Sequence, residues 1–161
     1  MDILSREILK DVVLDEVAPK PHPRRSPIDH WSTPVLLERA AYLRKMARAG
    51  DGSASETLRE YPQHAAVLSV RLRSGEVEAH ESCAVIFHVL AGNATLTMGG
   101  AIVGLGPDQT TRTPGSHAEK EIRIELRSGD VVHVPAATPH RFLIAGEKSL
   151  TCLAIKIQEI A

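Results

Sequence analysis

Two short stretches of this sequence carry side chains that can do chemistry together at a metal ion. The first is Glu78-Ala-His80-Glu81-Ser-Cys-Ala-Val85-Ile-Phe-His88-Val-Leu-Ala-Gly92, and the second is Gly129-Asp130-Val-Val-His133-Val-Pro135-Ala-Ala-Thr-Pro139-His140. A first-row divalent ion takes imidazole nitrogens or carboxylate oxygens at about 2.0–2.2 Å, and a catalytic site leaves a position open for substrate. Alternate residues of a strand face one side, so Glu78 and His80 can offer ligands to the same interior. The third ligand must come from another strand, and His140, reached through a turn stiffened by Pro135 and Pro139, can supply it.

Two ligand sets satisfy these demands. Glu78, His80 and His140 make a two-histidine, one-carboxylate triad suited to Fe(II) and also to Mn, Ni or Zn. His80, His88 and His140 make a three-histidine site. Counted from His80, His88 has the parity of an inward residue; counted from Val85 it points outward, and a strand irregularity between them would reconcile the two. The spacing of Glu78 from His80 needs no irregularity and favours the first set. Glu78 and His88 are also the candidates for moving protons in catalysis.

Strands must position these residues, and the sequence signals many. His64 to Arg73 alternates, with Leu68, Val70 and Leu72 on one face and Ser69, Arg71 and Arg73 on the other. His64 shares the apolar face and so can reach an interior. Ser74-Gly75-Glu76 reads as a turn, Ala84 to Leu90 as a doubly buried strand, Gly92-Asn93 as a turn, and Ala94 to Met98 as a strand. Residues 104 to 118 read as a loop, followed by strands at Ile122–Leu126, Val131–Val134, Phe142–Ile144 and Leu150–Ile157. A helix precedes them, with Ser32 and Thr33 for capping, Pro34 in its first turn and Gly50 at its end. Its apolar face is Val35, Leu36, Ala40, Leu43, Met46 and Ala47, with Arg39 among the charges opposite. Residues 1–30 read as an arm with a short helix and the prolines 19, 21, 23 and 27; residues 31–161 read as one domain. Short strands separated by turns, with one helix outside, predict an antiparallel sandwich or barrel.

Composition narrows the partners. The chain has 161 residues, with 19 Lys and Arg against 20 Asp and Glu and a net charge of −1, so no global field favours nucleic acid or an anionic membrane. No apolar stretch approaches the roughly 18 residues of a membrane span, and the first residues lack a signal-peptide pattern, so a cytoplasmic protein is expected. Cys83 and Cys152 have no metal-ligand spacing between them. Apolar residues fall on both faces of strands such as Val85-Ile-Phe and Leu153-Ala-Ile155, which predicts a homodimer.

The two stretches resemble the paired motifs of the cupin superfamily. Gly129, Pro135 and His140 fit the second motif, with Ala137 in place of its internal glycine and Ile144 in place of its trailing asparagine. His80 and Gly92 fit the first, with Glu78 where its first histidine stands and Val85 where its glutamate stands. From His30-Trp31-Ser32 through Tyr61-Pro62-Gln63-His64 the chain looks like single-domain bacterial cupins of no assigned reaction. The resemblance implies an all-β fold: a double-stranded β-helix barrel of two antiparallel sheets with one N-terminal helix outside. It also implies one divalent transition metal and a small-molecule substrate held in the barrel, with an oxygenase-type reaction; the alternative is a non-catalytic binding or sensor protein. The expected pocket wall is Ala84, Ile86, Phe87, Val132, Phe142 and Ile144, with no cluster of Arg and Lys to clamp phosphates.

Overall fold

The computed structural model describes residues 28–99 and 121–159. The arm's helix and prolines, and the loop of residues 104–118, lie outside the described residues.

Helix α1 spans Thr33–Ala49. The Ser32 hydroxyl accepts from the Val35 amide at 3.5 Å, Pro34 sits where no amide donor is needed, and Gly50 caps the end. Among the described residues seven strands follow: β1 Ser53–Glu60, β2 His64–Arg71, β3 Cys83–Met98, β4 Ile122–Arg127, β5 Val131–Val134, β6 His140–Leu143 and β7 Leu150–Gln158. All pairings are antiparallel. The first half of β3 belongs to a sheet ordered β1-β2-β7-β3-β5, and its second half lies between β4 and β6 in the other sheet. Among the described residues the hydrogen bonding does not close into a ring.

The predicted turn at Gly92-Asn93 is instead a bend within β3, where the strand passes from one sheet to the other. The register shifts between Val89 and Ala91, and Gly92 has φ +81°. A Cβ on Gly92 would stand 1.9 Å from the Ser149 carbonyl oxygen, so only glycine fits this crossing. Strand β1 has no signal in the sequence. Its residues, Ser-Ala-Ser-Glu-Thr-Leu-Arg-Glu, are mostly polar, and it forms because β2 offers a free edge and α1 covers Ala54 and Leu58.

Among the described residues two apolar clusters hold these layers. One lies between the sheets and includes Val85, Phe87, Val89, Leu96, Val134, Phe142, Leu150 and Cys152. The other joins Leu36, Ala40 and Leu43 of α1 to Leu68 and Val70 of β2, on the outer face of the first sheet. Thus the apolar face of β2 is turned outward to the helix, and Ser69 and Arg71, opposite Cys152 and Leu150, face the interior. Arg39 also departs from expectation. It is buried at this helix–sheet contact, where its Nε donates to Glu56 on β1 at 3.0 Å and its Nη2 bonds the same carboxylate.

Candidate metal centre

The segment from Gly75 to His80 is laced along β6 and the turn before it. The Gly75 amide donates to the Phe142 carbonyl at 3.0 Å. Glu78 and His140 exchange both backbone hydrogen bonds, at 2.9 and 2.8 Å, and the Ala137 amide donates to the His80 carbonyl at 2.7 Å. Residues paired in this way present their side chains on one face. The turn that delivers His140 has Ala137 at φ 56°, a left-handed conformation that favours glycine.

One side-chain atom from each of Glu78, His80 and His140 lies within 4.8 Å of the others. Glu78 Oε2 is 4.0 Å from His140 Nε2, and the imidazole centroids are 5.8 Å apart. His140 is almost wholly buried, and its Nδ1 lies 3.0 Å from the Thr138 carbonyl oxygen. A carbonyl only accepts, so Nδ1 carries the proton and Nε2 presents its lone pair to the cluster. That Nε2 is buried without a hydrogen-bond partner. Burial lowers the pKa of both imidazoles; at His80 the neighbouring His140 lowers it further, and at His140 the Thr138 carbonyl and Glu78 oppose the shift. Both rings are therefore neutral near pH 7, the state in which imidazole binds a metal. This donor set, with an orphaned buried nitrogen at its centre, fits a first-row divalent ion.

The expected proton-moving or ligating role of His88 is not supported by its position. It alternates with Phe87 and Val89 of the inner cluster and pairs with Leu153, whose side chain packs toward the helix. The parity counted from Val85 holds, because a turn at Glu81-Ser82 breaks the alternation between His80 and β3. His64 and His133 are exposed, and His64 stacks on Tyr61 at 4.2 Å. Ile86 and Ala84 likewise alternate away from the interior, whereas Phe87, Val132, Phe142 and Ile144 face it. Phe87 meets Phe142 edge to face at 5.0 Å and lies 6.0 Å from the His140 ring, an apolar wall beside the cluster.

One arginine that the sequence reading did not place at the site reaches the interior. The Arg71 guanidinium carbon lies 5.3 Å from the Phe142 ring centroid, and Nη2 is 3.8 Å from Glu78 Oε1. Both described cysteines are free, and burial pushes the Cys152 thiol up to about 12, so it stays protonated in the core. A separate cavity of about 240 Å³ lies beside Thr97, Arg123 and Arg141; its walls include His140 but neither Glu78 nor His80.

No protein-family model matches this chain, and no curated protein does. Solved structures do match. TT1209 from Thermus thermophilus is 14% identical over 68% of this chain and 87% of its own, with a TM-score of 0.50. KdgF from a Halomonas species is 18% identical over 68% and 83%, with a TM-score of 0.48. A cupin superfamily protein from Desulfitobacterium hafniense is 17% identical over 87% and 97%, also at 0.48. Identities this low bear on the fold alone. The chain's fold is all-β, two antiparallel sheets sharing β3 with both motif segments stitched together at Glu78 and His140, and this architecture is consistent with the cupin fold expected from the sequence.

Proposed function

We propose that this protein is a metal-dependent enzyme of the oxygenase type, acting on a small organic molecule held in the barrel. Glu78, His80 and His140 hold one divalent transition metal. The observation that carries this reading is the convergence of the three donors around the His140 Nε2, which is buried and otherwise unpartnered. When bound, the ion supplies Lewis acidity and open coordination positions for substrate oxygen atoms or O2. The protein's own residues supply the rest. The Thr138 carbonyl fixes the His140 tautomer, and Phe87 and Phe142 exclude water from one side. Glu78, about one-third exposed, keeps a carboxylate oxygen within reach of a substrate proton.

The test is metal analysis of the purified protein and of a His80→Ala/His140→Ala variant, followed by O2 uptake with a panel of small organic substrates. Stoichiometric metal in the wild type and none in the variant support the site; equal content in both refutes it. Bound metal without turnover on any substrate would favour a binding or sensor protein. The same reading includes a homodimer, since Ile86 and Ile155 pair on a face turned away from the core. Sedimentation at the mass of a single chain would contradict the dimer.

Among the described residues, no helix is long and apolar enough to cross a membrane.

A further inference from the structure

We propose that the barrel interior beside Glu78, His80 and His140 binds a small carboxylate anion, and that Arg71 is the residue that recognises it. The location of the site rests on the metal-centre reading above, while the choice of ligand rests on the interior's charge.

Arg71 ends β2 opposite Leu150, a residue of the inner cluster, so its side chain enters the interior while Val70 faces the helix. Its side chain is 23% exposed. The chain makes room for it. A Cβ on Gly75 would stand 2.8 Å from Arg71 Nη1, so the missing side chain at that turn is space the guanidinium uses. The 3.8 Å separation from Glu78 is an ion pair but too long for a hydrogen bond. Among the described residues the guanidinium donates no hydrogen bond, so its planar fork is held on the Phe142 ring with its donors unspent.

The charges of this interior do not balance. Lys156 pairs with Val85 of the inner cluster and so stands on the same face, exposed at the rim. Among the described residues Glu78 is the carboxylate paired with Arg71 and the exposed Asp51 feels the same guanidinium, while Lys156 and a divalent ion add to the positive charge. A partly desolvated excess of this kind is relieved by an anionic ligand. A carboxylate matches the guanidinium fork with two parallel hydrogen bonds, while Lys156 at the rim draws anions inward. Neutral diketones, phenols and thiols bring no countercharge.

Calorimetric titration of malonate and of its neutral diamide, into metal-loaded and metal-free protein, tests the assignment. Malonate is expected to bind the wild type, and the diamide at least about ten-fold more weakly. Arg71→Met is expected to weaken malonate binding about 10- to 100-fold, the range for losing a charge-assisted hydrogen-bond pair. Arg71→Lys should fall between, with metal content unchanged in both. Equal malonate affinity in the wild type and the Arg71 variants, equal affinity for the diamide, or no malonate binding at all would overturn the proposal. If Arg71→Met does not fold, the Arg71→Lys variant and the diamide contrast decide. Arg71-dependent malonate binding in a protein that takes up no metal would refute the metal reading and leave the carboxylate site standing.

Discussion

Glu78 and His140 are joined twice, by reciprocal backbone hydrogen bonds and by side chains that meet at 4.0 Å on the same face. The backbone pair fixes where the two donors start, so metal binding has little chain entropy left to remove. Replacing Glu78 by Gln keeps the shape and weakens the ligand. Since loss of an outer-shell partner alone costs about 10- to 100-fold in metal affinity, Glu78→Gln should cost more than ~100-fold. His88→Phe, on the other face of β3, should leave metal affinity unchanged. Competition titration with a chromogenic chelator measures both.

Acid should destabilise the metal-free protein through the two buried imidazoles. Their folded pKa values lie below 6.5, so between those values and 6.5 the unfolded chain binds protons that the folded chain does not. Stability is then complete above pH 6.5 and falls as pH drops through that value, by at most about 1.4 kcal/mol per pH unit for each group. Urea unfolding at a series of pH values should show this slope, and His80→Gln/His140→Gln should flatten it. Bound metal should steepen it, because protons and metal compete for the same nitrogens.

Ala137 should be improvable. An L-residue in the left-handed region costs about 1–2 kcal/mol, partly offset by the extra freedom glycine has when unfolded. Ala137→Gly should therefore stabilise the protein by about 0.5–1 kcal/mol, and Ala137→Val should destabilise it. Thermal melting of both variants gives the sign directly.

Gly92 admits no such exchange. Gly92→Ala would drive a Cβ into the Ser149 carbonyl at a backbone angle that already disfavours side chains. A loss of more than ~3 kcal/mol is expected, read by chemical denaturation.

Much of this is legible in the sequence, because local signals and tertiary outcome agree. Ser32, Pro34 and Gly50 bound the helix as read, and the period-two spacing of Glu78 and His80 brings both to His140. The exceptions share one cause, which is that a neighbour decides. The polar strand β1 exists because β2 and α1 complete it. The Gly-Asn signature at 92–93 marks a close crossing over Ser149 rather than a reversal. Arg71 escapes a sequence reading because β2 displays Leu68 and Val70 on one face, the usual mark of an inward side. The helix claims that face, and the polar face is left to line the site. The position of α1 on β2 is the signal that would have found it.

The placement of β7 sets the order in which this fold can be built. It lies between β2 and β3, and β3 in turn waits for β4, β5 and β6, all later in the chain. As the ribosome delivers the polypeptide, β1 and β2 can pair as a hairpin, but the sheet that carries Arg71 has no centre until residues 150–158 have emerged. Most contacts therefore join residues distant in sequence, which makes folding slow and leaves strand edges open meanwhile. Nascent chains arrested before residue 150 should engage chaperones and resist native pairing.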